Sequence, residues 1–468
     1  MAVDNLSKWL VIGAITLAAC SGDDATTDEP DMDLPDSTRP NPTASKWTSG
    51  VIEGGNMGLS PKIAVAPDGT IGAAWISVVG TEEGPCTALG TDPPPPIAVS
   101  WKIRYGTFDG TNWSLEDVAN PYYVGQPRGV DLAFDASSTP LIAGQTGEPV
   151  VMFKYCGVHD AAVFRRGGVG NWTSEAAVTE SGQAAVGEPA SDFGTVVGNF
   201  PALAVAPNGD LALAYKDVHG GGLQSDDFRK ADLEMGWKRG GAWTAHAVDP
   251  TRGGGNFNDM IFDLQNRPVI VQYVPVEDTA LANAAGVWVH RSIDDGATWQ
   301  SVQLYNQPTK QGPSIAMDPN TGTIYVAYYQ AQKGYPVVAT LTDETNFESV
   351  GTGWKIEDLG DSRYDEGYGT SLAVAGNGTI GLAYYRCTKA ISGLGECTPT
   401  DDALIFAYYD GFAWEQEVVD EGDTAECGTA PSLAFDTNNR PIIVFRCETP
   451  SGSGIDTQIH YSRRSSSP

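Results

Sequence analysis

The sequence predicts an all-β fold: a seven-bladed β-propeller of four-stranded blades, closed by pairing of its N- and C-terminal strands. Three observations lead there. The chain of 468 residues holds 55 glycines and 30 prolines, more than the combined share of roughly 12% usual in globular domains, and this suits many short strands joined by turns. One strand–turn–strand phrase returns seven times along the chain. The two ends of the repetitive region each carry half of a second kind of hairpin.

The phrase is clearest in IAVAPDGTIGAAW (63–75), LAVAPNGDLALAY (203–215), IAMDPNTGTIYVAY (315–328) and LAVAGNGTIGLAY (372–384). Shorter copies pair LAFD (132–135) with PLIA (140–143), MIFD (260–263) with PVIV (268–271), and LAFD (433–436) with PIIV (441–444). Each is an apolar strand, a Gly, Asn or Pro turn and a second apolar strand, which is a hairpin signature. The small alanines suit strands crowded near an axis. The second position of the copies falls at 64, 133, 204, 261, 316, 373 and 434, so the repeat measures 55 to 71 residues. That length accommodates four strands with generous loops.

Between copies lies a second hairpin, an aromatic strand and a Gly-rich turn ending in Trp: YGTFDGTNW (105–113), FRRGGVGNW (164–172), WKRGGAW (237–243) and YYDGFAW (408–414). The final strand, QIHYSR (458–463), lacks its Trp partner, and KWTSGVI (46–52) is a Trp strand without a predecessor. Pairing the two completes the seventh blade and hides both edges. The propeller is therefore expected over residues 46–468.

Residues 9–19 (WLVIGAITLAA) form an apolar run too short to span a bilayer but of the right length for a signal-peptide core. The run ends in Leu17-Ala18-Ala19-Cys20, which resembles the lipobox of bacterial lipoproteins. The resemblance implies a signal peptide over 1–19 and a lipid-modified Cys20 as the mature N-terminus. It also implies anchorage in the outer membrane or at the cell surface. Residues 21–45 carry seven acids and one arginine among many Pro, Ser and Thr, so residues 20–45 are expected to be a lipidated cysteine followed by a disordered acidic tether.

The net charge is -31, from 28 basic and 59 acidic side chains, which argues against nucleic acid as a partner. With Cys20 set aside, Cys86, Cys156, Cys387, Cys397, Cys427 and Cys447 remain, an even set that suggests disulfides in an exported chain. Fifteen connectivities are formally open; positions in the repeat predict 86–156, 387–397 and 427–447. No G-x-S-x-G, H-E-x-x-H or P-loop occurs, and the histidines share no ligand spacing. No cofactor or metal is expected; the acidic stretch 420–423 lacks an EF-hand pattern, leaving Ca²⁺ without support. A monomer is expected, touching the membrane only through Cys20.

Ser292-Ile293-Asp294-Asp295-Gly296-Ala297-Thr298-Trp299 matches the Asp-box, S-x-D-x-G-x-T-W. The chain thus resembles sialidase-like, Asp-box (BNR-repeat) propellers. The resemblance implies that Ser292, Asp294, Gly296, Thr298 and Trp299 are structural, fixing a turn on the face opposite the site. It also implies where chemistry would sit: three arginines clamping a carboxylate, a Tyr–Glu pair and an acidic Asp. Arg128, Arg252 and Arg363, in loops leading into alternate blades, with Tyr364 or Tyr368, Glu366 and Asp192, match those residue types. The family's Arg-Ile-Pro motif is absent, and the family closes with six blades where seven are counted here. The expected function is accordingly a lipid-anchored envelope protein binding a glycan or protein ligand on one propeller face. A sialidase-like glycoside hydrolase or lyase is the alternative, and a scaffold subunit of a surface complex the second alternative. The long insertions at 77–98 and 146–160 are expected to be binding loops.

Overall fold

A computed structural model describes residues 46–468 apart from position 56 and the segments 83–97, 120–121, 124–128, 153–154, 181–196, 218–230, 251–253, 276–283, 310–311, 361–363, 389–401, 422–425 and 452–453. Cys20, Cys86, Cys397, Arg128, Arg252, Arg363 and Asp192 therefore lie outside the described residues, as does the side chain of Cys156.

The seven expected hairpin pairs fold into seven antiparallel sheets, each with four strands in the radial path and one with an added short strand. The innermost strands, blade 1 to blade 7, are Met57–Val65, Asp131–Phe134, Asn199–Val205, Asn256–Phe262, Ser314–Met317, Asp365–Val374 and Glu426–Phe435. Ring closure follows the expected route: Trp47–Glu53 pairs with Gly454–Arg464, in register Trp47 with Arg464 and Val51 with His460. The one helical element among the described residues is a 3-10 turn at Glu344–Asn346, and none is long and apolar enough to cross a membrane.

The repeat pattern explains the packing. The first turn of every copy needs one left-handed residue, at Gly69, Ser138, Gly209, Asn266, Gly322, Gly378 and Asn439, positions that Gly and Asn tolerate best. The apolar strands on either side then bury their side chains between blades. Each interface carries one outer-strand tryptophan: Trp113, Trp172, Trp243, Trp299, Trp354 and Trp414 pack toward the preceding blade. Trp47 does the same for blade 7. Its ring meets Phe406 edge-on at 5.4 Å and its Nε1 donates to Glu417 at 3.1 Å. The closing strand is thus tied into the core as well as hydrogen-bonded at its edge.

Two features differ from the sequence reading in detail. Much of the insertion at 146–160 is β-ribbon: Thr146 pairs with Asp160 and Met152 with Tyr155 as the two middle strands of blade 2 run on past the disc. Blade 7 extends in the same way, to Ser451 opposite Gly454.

Candidate binding site at the channel mouth

Antiparallel alternation sorts the loops. Connections into each inner strand, and those between second and third strands, emerge on one face; the first turn of each copy and the Trp hairpin turns emerge on the other. The Asp-box lies on that second face. Ser292 Oγ accepts from Gly296 N at 2.7 Å, and Asp294 accepts from Thr298 N at 2.5 Å and Thr298 Oγ1 at 2.7 Å. These bonds hold the Asp294 carboxyl below the usual carboxylate range. Gly296 adopts φ 86°, and a Cβ there would lie 2.7 Å from His246 Nδ1. Ser292, Asp294, Gly296, Thr298 and Trp299 therefore each have a turn-fixing or packing task.

The first face holds a cavity of about 290 Å³ on the channel axis. A collar repeated around the ring builds it. In six blades the inner strand carries, or is preceded by, a residue at positive φ: Ser60, Gly129, Phe200, Phe257, Gly369 and Ala430. The following residue is Pro61, Pro201 and Pro431 in three of these blades. Where it is not proline, its side chain can bind the preceding blade. Asn258 Nδ2 donates to Phe200 O at 3.0 Å, and Thr370 Oγ1 donates to Gly312 O at 3.1 Å. The third position links blades again: Asp131 accepts from Leu203 N at 2.7 Å and Asp259 from Ile315 N at 2.9 Å. Ser371 accepts from Leu433 N at 2.9 Å and Ser432 from Ile63 N at 3.1 Å.

Lys62 occupies this third position in blade 1, its Nζ 3.9 Å from Asp131 Oδ1. Burial works against its charge, but Asp131 and Asp259 outweigh that and hold its pKa above the ordinary lysine value. Burial, with Asp131 adding to it, pushes Asp259 up to about 6 against the pull of Lys62. The floor of the mouth therefore holds one lysine facing two carboxyl groups, ringed by hydroxyls and roofed by rings and prolines.

The described candidates from the sequence lie behind this wall, in blade 6. Glu366 is fully buried, and its backbone partner across the strand pair is Arg386. The Arg386 guanidinium lies 4.6 Å above the Tyr364 ring. Tyr368 is buried and donates to Asp365 Oδ2 at 2.7 Å, while Tyr329 donates to Asp365 Oδ1 at 2.7 Å. Burial first, then the Asp365 bond, raises the Tyr368 phenol well above its ordinary value. None of these three residues lines the described mouth cavity. Cys427 and Cys447 are disulfide-bonded across blade 7, as the sequence suggests, with Cα atoms 4.1 Å apart. Cys387 is disulfide-bonded too.

Sequence reasoning passed over Phe200 and Phe257. Their rings meet at the mouth with centroids 4.7 Å apart. The signal available was the collar itself: Ser60-Pro61, Phe200-Pro201, Gly312-Pro313 and Ala430-Pro431 all stand three residues before the Ile or Leu that opens a repeat copy.

No family model matches the chain and no curated protein is significantly similar to it. Solved structures match it at low identity. A protein of unknown function from Dyadobacter fermentans is 13% identical over 89% of this chain and 99% of its own, with a TM-score of 0.45. An α-L-arabinanase from Penicillium chrysogenum is 15% identical over 76% and 96%, with a TM-score of 0.42. The NanB sialidase from Streptococcus pneumoniae is 12% identical over 89% and 70%, with a TM-score of 0.43. At such identities and scores these likenesses carry no argument about activity.

Proposed function

We propose that the chain is an exported, lipid-anchored protein of the cell envelope that binds a glycan over the mouth of its propeller channel. One observation carries this reading. The described mouth offers aromatic, proline and hydroxyl surface, while its lining carboxylate, Asp259, is engaged by the backbone N–H groups of Ile315 and Met260. That suits holding a ligand. Glycoside hydrolysis asks instead for two carboxyl groups facing each other across about 5 to 9.5 Å. The sialidase-like alternative rests on Arg128, Arg252 and Arg363 with Tyr364 or Tyr368, Glu366 and Asp192.

The test is a glycan array probed with the full chain. Retention of a defined glycan set supports the reading; retention of none contradicts it. The anchor is tested separately. Cys20→Ser should release the chain from membranes and abolish palmitate labelling, and unchanged retention would contradict lipidation.

A further inference from the structure

We propose that Phe200 and Phe257 form a platform on which one uncharged sugar ring stacks at the channel mouth. This rests on the reading of the mouth as a binding site and adds the ligand's chemistry. Both phenylalanines sit in the left-handed region, Phe200 at φ 51° and Phe257 at φ 48°. Bulky residues avoid that region, and where a fold holds them there the strain tends to serve function. The same collar position takes Ser60, Gly129, Gly369 and Ala430 in other blades, so the ring does not require an aromatic.

The surroundings are shaped to keep both rings. Gly312 stands where a Cβ would come within 2.8 Å of Phe257 Cβ. Asn258 ties down the Phe200 carbonyl at 3.0 Å and the Gly255 carbonyl at 3.0 Å. Phe257 remains 39% exposed although apolar interfaces adjoin it on both sides. A fixed aromatic pair beside a cavity, with Phe257 exposed and Phe200 half-buried behind it, is a preformed contact surface.

The floor decides what lies on it. An apolar side chain there would seal off the Ser314 hydroxyl without giving it a partner and strip water from the Lys62–Asp259 group, which is costly. The Ser314 hydroxyl lines the cavity, is buried, and has no hydrogen-bond partner among the described residues. A buried hydroxyl in that state offers a ligand both a donor and an acceptor. An anion finds little in the described lining, because Lys62 is matched by Asp131 and Arg446 is ion-paired with Glu448. A neutral sugar fits both layers: its C–H face lies on the rings and its hydroxyl edge exchanges hydrogen bonds with the floor.

The experiment measures the affinity of the full chain, its Phe257→Ala variant and its Phe257→Trp variant. The ligands are array-positive glycans, neutral methyl glycosides, sialic acid and a phenylalanine-terminated peptide, each at low and high salt. Alanine already occupies the equivalent position at Ala430 with φ 47°, so Phe257→Ala should melt as the parent does. Should it not fold, Phe200→Ser, which copies the residue type found at Ser60, gives the same readout. Neutral glycans should bind with little salt dependence, lose roughly ten-fold or more in affinity in Phe257→Ala, and recover in Phe257→Trp. Glycan binding that ignores these variants would overturn the platform while leaving the binding function standing. Salt-sensitive binding of sialic acid, or ring-dependent binding of the peptide, would overturn the assignment of a neutral sugar. No glycan binding by the parent chain would overturn both.

Discussion

At the scale of single residues, the Asp-box shows how far a motif reaches. Asp294 was legible as a turn-fixing residue because its bonding partners lie within the same eight-residue string. Phe200 and Phe257 were not legible, because nothing in a lone loop phenylalanine announces a left-handed backbone or a neighbour across the channel. Glu366 and Tyr368 resembled site residues in type, yet their burial depends on strands far away in sequence. Asp402 shows the same dependence. It is buried, accepting from the Tyr385 hydroxyl at 3.0 Å and Cys427 N at 3.1 Å. Burial outweighs those bonds and raises its pKa to about 7. The folded protein therefore takes up a proton that the unfolded chain releases near the ordinary value of 3.8. Its stabilising effect is present in acid and is lost as pH climbs through about 4 to 7. Urea melts between pH 5 and 8 should show this fall in the parent and a flatter profile in Asp402→Asn. Parallel profiles would contradict the assignment.

At the scale of elements, the hairpins were legible from apolar strands and Gly or Asn turns, and the Trp strands from their spacing. The ribbon at 146–160 was missed as such because a strand that outruns the disc has no repeat copy to be compared with. The Cys427–Cys447 bridge was legible because both residues stand at one end of a single hairpin, and they prove to be register partners. The bridge closes a separation of 20 residues; its removal in the Cys427→Ser/Cys447→Ser double variant should cost about 3 kcal/mol by loop entropy. Denaturant titration of that variant measures it, and an unchanged midpoint would contradict it. The closing strand is open to the same kind of measurement. Trp47 is 7% exposed, and Trp47→Ala should destabilise the domain by about 3 to 5 kcal/mol through lost packing. A loss below about 1 kcal/mol would show that edge hydrogen bonding alone secures the ring.

At the scale of the whole molecule, seven copies and two half-hairpins were enough to count the blades and join the ends. They were not enough to say which ring positions differ, and binding depends on those differences. The collar is nearly uniform in backbone: a left-handed residue in most blades, then proline or a tethering side chain, then a group that grips the next blade. Its side chains break the symmetry, with Lys62 in blade 1 facing acids from blades 2 and 4, and aromatic rings only on blades 3 and 4 among the described lining. A ring assembled in this way has a collar braced from blade to blade, with one distinct side among the described residues. The role proposed for this mouth is binding without cleavage. It is tested most directly by incubating the full chain with an array-positive glycan and following the sugar by mass spectrometry. The glycan should be recovered intact from the bound fraction at every time point. Steady release of a shortened product, abolished in Arg252→Ala or Glu366→Gln, would contradict it.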